Sequence, residues 1–308
     1  MKNIKLYIVA IILGISISNN IFAQQDPMFT QYMFNTLAVN PAYAGSRGAL
    51  NITGLYRNQW MGIDGAPETQ NLYAHTPIIN KNMAVGLSIV NDNIGPINQT
   101  MMYGDYSYTV KVTEKSKLAF GLKAGLNIIK GKYTDVDITT PNDDAFATNI
   151  NYKPLPNFGF GMYYHSERWY VGLSTPKLLE NKIEATIDYT KLSERRHFFL
   201  IAGYIIDINE TVKFKPSTLV KVTAGAPVSI DLTTNFLFHD RIWLGASYRV
   251  SDSFSALLQL QLNDQLRLGY AYDYTLSKLS KYNYGTHEIM LSYDFIFRKD
   301  KILSPRYF

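Results

Sequence analysis

Apolar and polar residues alternate strictly along most of the chain, and this alternation predicts β-strands. In the stretch 118–128 every second residue is apolar, from Leu118 to Ile128, and the residues between are small or polar. Because successive side chains of a strand point to opposite faces, each such stretch predicts a strand with one apolar and one polar face. The same period of two recurs in four further stretches: 106–112, 228–238, 265–274 and 286–297.

Similar segments continue along the rest of the chain and together predict about fourteen strands. They begin near the following residues: Leu50, Thr69, Met83, Phe158, Trp169, Phe198, Val212, Ile242 and Phe254. Each segment has roughly the 9–11 residues that a tilted strand needs to cross a bilayer.

The distribution of charges separates two interpretations of this pattern. The charged residues fall on the polar faces: Lys111, Lys123, Asp207, Lys213, Lys215, Asp231, Arg249, Arg267, Asp273, Glu288 and Asp294. A soluble β-sandwich would also alternate, but here the apolar faces are rich in aromatics and the polar faces in Gly, Ala and Ser. That combination favours lipid contact outside and a crowded lumen inside. A sheet in hydrocarbon must close, so we predict an all-β, transmembrane antiparallel β-barrel over residues 49–297.

The lengths of the connections support this prediction independently. If the first strand starts in the periplasm, every second connection is a periplasmic turn and should be short. The connections at 78–81, 113–116, 165–168, 207–210, 239–240 and 263–264 are short, whereas the long ones, 131–156 and 174–195, share the opposite side.

The first 23 residues have the layout of a secretory signal peptide. Lys2 and Lys5 precede an apolar run, and the segment ends on the small residue Ala23. A retained membrane anchor is the alternative, but the run is shorter than the roughly 20 residues that span a bilayer. We therefore expect export, cleavage near Ala23 and location in the outer membrane.

Composition excludes several classes of function. The chain has no cysteine, so thiolate metal sites and thiol nucleophiles are excluded. Its formal net charge of +5 includes the two leader lysines and is too small to suggest nucleic acid. The five histidines are scattered, and aspartates in the long 131–156 loop predict a solvated loop rather than a Ca²⁺ site. We expect no metal, no cofactor and no enzymatic activity.

Residues 24–48 do not alternate, and two roles remain open for them. Phe29, Tyr32 and Met33 are spaced as on a helix and precede a turn-rich stretch from Asn40 to Gly45. The segment could plug the lumen, or it could form a periplasmic collar that meets a partner. Residues 298–308 form a short polar tail that ends in an aromatic residue.

Several motifs in this chain are similar to those of the PorP/SprF family, outer-membrane proteins of the type IX secretion system of Bacteroidetes. The motifs are Gln25-Asp26-Pro27-Met28-Phe29-Thr30-Gln31-Tyr32-Met33-Phe34-Asn35, Asn40-Pro41-Ala42-Tyr43-Ala44-Gly45, Tyr56-Arg57-Asn58-Gln59-Trp60, Gly65-Ala66-Pro67-Glu68-Thr69-Gln70 and Ser304-Pro305-Arg306-Tyr307-Phe308. The central strands match in pattern only.

The resemblance implies a barrel related in shape to long-chain fatty-acid transporters. It also implies a non-enzymatic role in secretion and surface display of cargo with a C-terminal signal, including gliding adhesins. The partners it implies are periplasmic ring and motor proteins, the large translocon barrel and cargo, within outer-membrane lipid. A channel or transporter for small solutes is the alternative function. As partner-binding or plug residues we select Pro27, Phe29, Tyr32, Asn35, Asn40, Pro41, Tyr43, Arg57 and Trp60.

Overall fold

The computed structural model describes residues 26–78, 82–135, 149–184 and 191–296. The predicted leader 1–23, the tail 298–308 and most of the acidic loop lie outside the described residues. No helix in the described part of the chain is long and apolar enough to cross a bilayer.

About two thirds of the described residues lie in β-strands. The strands are β1 (Leu50–Asn58), β2 (Glu68–Pro77), β3 (Met83–Ile94), β4 (Ile97–Lys111), β5 (Ser116–Gly131), β6 (Ile150–Ser166), β7 (Trp169–Thr175), β8 (Lys182–Glu184), β9 (Lys191–Ser193), β10 (His197–Tyr204), β11 (Ile206–Asp207), β12 (Val212–Thr223), β13 (Ser229–Phe238), β14 (Ile242–Arg249), β15 (Ser253–Gln261), β16 (Leu266–Thr275) and β17 (Thr286–Phe295). Short 3₁₀ turns occur at Thr36–Ala38, Pro41–Tyr43, Tyr133–Asp135 and Lys278–Lys281.

Fourteen of these strands form a closed antiparallel barrel, as the sequence predicted. Consecutive strands pair with each other, and β1 pairs with β17 to close the sheet. Two short strands, β8 and β9, form a separate hairpin, and β11 continues β10 after Ile205. Closure leaves no unpaired edge strand, which a hydrocarbon environment requires.

The two faces of the barrel wall confirm the predicted alternation. Large apolar side chains such as Leu122 and Leu291 point outward and are about half exposed. Charged side chains such as Lys123, Asp231 and Arg267 point inward and are buried. Two of the charged residues on the predicted polar faces, Lys111 and Asp207, lie near strand ends and are exposed.

The two ends of the barrel differ in their connections. At one end, the turn end, all connections are short, and the longest of them is 78–82. The other end, the loop end, carries the long connections 59–67, 132–149, 176–196 and 276–285, together with the short connections 95–96, 224–228 and 250–252. Outer-membrane barrels place short turns in the periplasm and longer loops outside, so we assign the loop end to the cell exterior.

Strand β6 begins earlier than the sequence predicted. It starts at Ile150 rather than near Phe158, and it includes Pro154 and Pro156. Proline cannot donate a ladder hydrogen bond and is tolerated where one side of a strand is unpaired. Strand β7 pairs with β6 only from Phe160 onward, so the two prolines lie where β6 has a partner on one side alone.

Candidate functional site

Residues 26–48, which we call the lumenal segment, run through the barrel from the loop end to the turn end. Lys177, in the connection after β7, binds Asp26 with Nζ 2.7 Å from the carboxylate. Arg47 at the other end binds Asp294, close to the end of β17 at the turn end. Between them, Tyr32, Leu37 and Tyr43 are at most 2% exposed. The segment therefore lies inside the barrel, buried against the inward faces of the strands.

An ion cluster of Arg57, Asp273 and Glu288 holds the segment near the loop end. The Arg57 guanidinium lies 2.9 Å from both the Asp273 and Glu288 carboxylates, and all three side chains are at most 4% exposed. The backbone N–H groups of Thr30 and Gln31 donate to the Glu288 carboxylate at 3.0 and 2.9 Å. Buried charges are tolerated when they are paired and hydrogen-bonded, and here the segment supplies part of that pairing.

A second ionic contact holds the segment near the turn end. Arg47 donates from Nε and Nη2 to the two Asp294 oxygens at 3.0 and 2.9 Å. The same carboxylate accepts from Asn51 at 2.8 Å and from Arg267 at 3.4 Å. A forked arginine–carboxylate contact of this kind fixes orientation as well as distance. The lumenal segment is thus tied to the wall at both ends.

In the middle of the lumen, the wall and the segment approach so closely that glycine is required. The Asn40 side chain accepts from the Ala42 N–H at 3.0 Å and donates to the Met162 carbonyl at 2.9 Å. A Cβ on Gly161 would lie 2.1 Å from Asn40 Oδ1, and one on Gly121 would lie 2.1 Å from the Ala42 nitrogen. Both distances are too short for any side chain, so these two wall positions admit only glycine without displacing the segment.

Aromatic side chains of the segment also pack against the inner wall. The Tyr43 ring meets the rings of His75 and Tyr163 edge-on, with centroids 5.5 and 5.6 Å away. Phe34 packs against Trp243 at 5.8 Å. Edge-on and tilted pairs of this kind are favourable beyond the area they bury.

One buried lysine lies among these aromatic rings. Lys215 Nζ lies 5.2 Å from the Phe34 ring centroid and 5.5 Å from that of Trp243, and it contacts the Met33 carbonyl at 3.5 Å. Cation–π contacts of this kind stabilise a desolvated ammonium group. The segment therefore contributes to the environment of this cation.

At the loop end, Lys177 and other described residues of the connection between β7 and β10 lie at the start of the lumenal segment. Glu194 accepts from the side chains of Asn157 and Asn181 at 3.2 and 2.6 Å. Burial opposes ionisation of Asp26, but the charged Lys177 side chain donates to the carboxylate and favours its ionised form, and the Asp26 pKa lies below its usual value. Asp26 is therefore a carboxylate at neutral pH and keeps its ion pair with Lys177.

The selected residues lie on this segment or beside it. Most of them are buried: Phe29, Tyr32, Asn35, Asn40, Pro41, Tyr43 and Arg57. Pro27 is half-buried at the loop end, and Trp60 lies on the loop after β1 with a backbone φ of 52°. Sequence reasoning missed the anchors Thr30, Arg47 and Lys177. The charged pattern of β16 and β17 indicated that their acids face inward, but not what they bind.

Comparison with known proteins decides the family. The sequence model for the type IX secretion system membrane protein PorP/SprF matches residues 21–293. The chain belongs to the PorP/SprF family. It is therefore an outer-membrane component of the type IX secretion system. No curated protein matches this PorP/SprF chain at a significant level.

Several solved structures share a barrel architecture with this PorP/SprF protein at low sequence identity. A FadL homologue of Pseudomonas aeruginosa is 13% identical with a TM-score of 0.45, covering 91% of this chain and 96% of its own. The CymD monoaromatic hydrocarbon channel is 10% identical with a TM-score of 0.48, covering 90% and 94%. Omp33 of Acinetobacter baumannii is 9% identical with a TM-score of 0.44, covering 80% and 98%. Likenesses at this level carry no argument about function.

The described residues contain no group of three or more His, Asp or Glu side chains that could hold a metal ion. Several buried acids and bases of the lumen are instead paired with each other or with the lumenal segment, as in the contacts of Arg57 with Glu288 and of Arg47 with Asp294. The barrel contains the lumenal segment, and the buried ion pairs and hydrogen bonds described above hold that segment to the wall.

Proposed function

We propose that this protein is a non-enzymatic docking barrel that binds secretion machinery or cargo carrying a C-terminal type IX signal, of the gliding-adhesin type. Membership of the PorP/SprF family assigns the protein to the type IX secretion system. The segment inside the lumen supports a docking role rather than conduction. The alternative is a channel or transporter for small solutes. The selected residues of the lumenal segment serve as the plug in this proposal.

The occupied lumen is the observation that carries the proposal. The segment is tied by Asp26 and Arg47 at its ends and by Thr30 and Gln31 to Glu288. Opening a passage would require breaking several buried contacts together, and each broken contact would leave a charged or polar group unpaired. A barrel built in this way suits a fixed scaffold in the membrane better than a solute path.

Conductance in planar bilayers tests this proposal. We expect the intact mature protein to be closed and a variant lacking residues 24–48 to conduct. The Gly121→Ala variant, which has a full-length chain, provides a second measurement if the truncated chain does not fold. Large conductance of the intact protein that changes with added solute would overturn the docking proposal in favour of a transporter.

The loop end offers an aromatic surface to a cargo protein. The loops 59–67 and 276–285 are joined by backbone hydrogen bonds from Met61 to Gly285 at 2.9 Å and from Tyr284 to Met61 at 2.8 Å. Tyr282 and Tyr284 are 71% and 79% exposed. Exposed aromatics on a fixed support are typical of protein-binding surfaces, and we assign this one to cargo.

Site-specific photo-crosslinking in native membranes tests the assignment of the two ends. A photoreactive residue at Tyr284 should capture secreted proteins that carry the C-terminal signal. One at Lys115, on an exposed turn at the opposite end, should capture periplasmic ring or motor proteins instead. Capture of neither class at either position would contradict the proposed function.

A further inference from the structure

On strands β3–β6 the outward side chains change from apolar to polar toward the loop end of the barrel. On β5 the outward positions are apolar from Leu118 to Ile128. At about 3.4 Å per residue and a tilt of about 45°, this stretch spans about 24 Å, close to the height of a typical apolar band. The next outward residue is Lys130, so this side chain lies just above the hydrocarbon on the loop-end side.

The neighbouring strands change at the same height. Asn93 on β3 pairs in register with Asn98 on β4, and Asn98 pairs with Lys130 on β5. The side-chain amide of Asn98 donates to Asn93, and that of Asn91 donates to Thr100 at 2.9 Å. A polar row at this height faces lipid headgroups rather than acyl chains.

A β-bulge in the pairing of β5 with β6 places an aromatic residue, Tyr152, beside this polar row. The pairing of β5 with β6 shifts between Ile129 and Gly131, which leaves Tyr152 in an expanded part of β6. Tyr152 has a φ of 36°, a conformation that non-glycine residues rarely adopt, and its side chain is 67% exposed. Bulges commonly redirect a side chain, and backbone outliers cluster at binding sites. Lys130 Nζ lies 5.0 Å from the Tyr152 ring centroid.

These residues line an outward-facing cavity of about 610 Å³. Its lining consists of Asn93, Gly95, Pro96, Ile97, Asn98, Lys130, Lys132 and Tyr152. The volume lies in the range of small-ligand sites. The backbone N–H of Lys132 donates to the Pro96 carbonyl at 2.9 Å, which ties the β3–β4 hairpin to the end of β5.

We propose that this cavity binds the phosphorylated saccharide headgroup of an outer-leaflet lipid. Two ammonium groups supply the charge that a phosphate requires, and the asparagine amides can hydrogen-bond sugar hydroxyls. The exposed tyrosine offers a flat apolar face and a polar tip, as aromatic residues do at membrane interfaces. The site would fix a lipid beside the long strands, on the side of the barrel where β3–β6 rise above the membrane.

Retention of lipid A by the detergent-solubilised mature protein, measured by native mass spectrometry, tests this inference. We expect the double variant Lys130→Gln with Lys132→Gln to lower the affinity for diphosphoryl lipid A at least tenfold, because each charge-assisted hydrogen bond contributes strongly to binding. Tyr152→Leu should lower the affinity without a change of charge. Lys115→Gln, at the turn end, is the matched control and should bind as the unmodified protein does.

Two further probes separate the possible sources of the phosphate. Phosphatidylglycerol carries a phosphate but no sugar, and inorganic phosphate carries neither sugar nor acyl chain. Binding of phosphatidylglycerol as tightly as lipid A, or full displacement of lipid A by millimolar inorganic phosphate, would overturn the assignment. Equal lipid A binding by the double variant and the unmodified protein would do so as well, provided that both migrate as folded barrels on unheated gels.

Discussion

Replacing Gly121 by alanine should loosen the lumenal segment without disturbing the barrel wall. The added Cβ would lie 2.1 Å from the Ala42 nitrogen and 2.4 Å from the Pro41 carbonyl carbon. Both atoms are backbone, so neither can swing aside as a flexible side chain would. Overpacking of this kind costs about 1–3 kcal/mol. The wall is held by its hydrogen-bonded ladder, so the segment should give way.

The absence of native cysteine makes this displacement measurable by thiol labelling. Thr36 is 3% exposed inside the lumen, so a Thr36→Cys probe should react slowly with a maleimide while the segment is in place. Destabilisation of the docked state by about 1–3 kcal/mol corresponds to labelling that is about 5- to 150-fold faster. The rate should rise because labelling requires the segment to leave its position.

A glycine on the strand paired with β5 provides the control for the Gly121→Ala variant. Gly104, on β4, has open space, since a Cβ there would come no closer than 3.9 Å to the Ala124 carbonyl. Thr36→Cys labelling in a Gly104→Ala background should match that of the probe alone. Equal labelling rates for the Gly121→Ala and Gly104→Ala proteins would refute the idea that wall glycines accommodate the segment.

Two other perturbations address the anchors. Arg57→Met leaves Asp273 and Glu288 as neighbouring buried carboxylates and should destabilise the barrel by about 3–5 kcal/mol, seen as a lower temperature for loss of the compact form on gels; an unchanged temperature would contradict the cluster's role. The pKa of Asp26 lies below its usual value, so its contact with Lys177 is intact at neutral pH and is lost as the pH falls through the folded pKa. A nitroxide at a Met28→Cys probe should therefore gain mobility on acidification, whereas in an Asp26→Asn background its mobility should be high throughout and independent of pH.

The strands and their two faces could be predicted from the sequence because successive residues of a strand face two different environments. Lipid outside and a polar lumen inside impose a period of two, which assigned Lys123, Asp231 and Arg267 to the buried inner face. The start of β6 could not be predicted in this way. Prolines 154 and 156 are compatible with a strand only because β7 is shorter than β6, and the length of a neighbouring strand is not encoded locally.

The contacts of the lumenal segment were beyond sequence reasoning for a different reason. Periodicity assigns a residue to a face but not to a height in the barrel, and it cannot identify the partner of a buried charge. Arg57 and Glu288 are paired because β1 and β17 meet in one register, across 231 positions of sequence. Thr30 and Gln31 bind the same carboxylate through their backbone N–H groups. Nearly every residue type has such a group, so the sequence does not reveal this contact.

The ionic contacts of the lumenal segment are concentrated where the barrel closes. Arg57 belongs to the first strand of the wall, and Glu288 and Asp294 to the last. Once these strands join, the end of the segment near Asp26 would have to thread through the closed barrel from the turn end to reach Lys177. Wall closure and filling of the interior are therefore a single assembly event. A chain with a damaged segment would bring unmatched carboxylates together at the junction, so defects in residues 26–48 should slow insertion into the membrane.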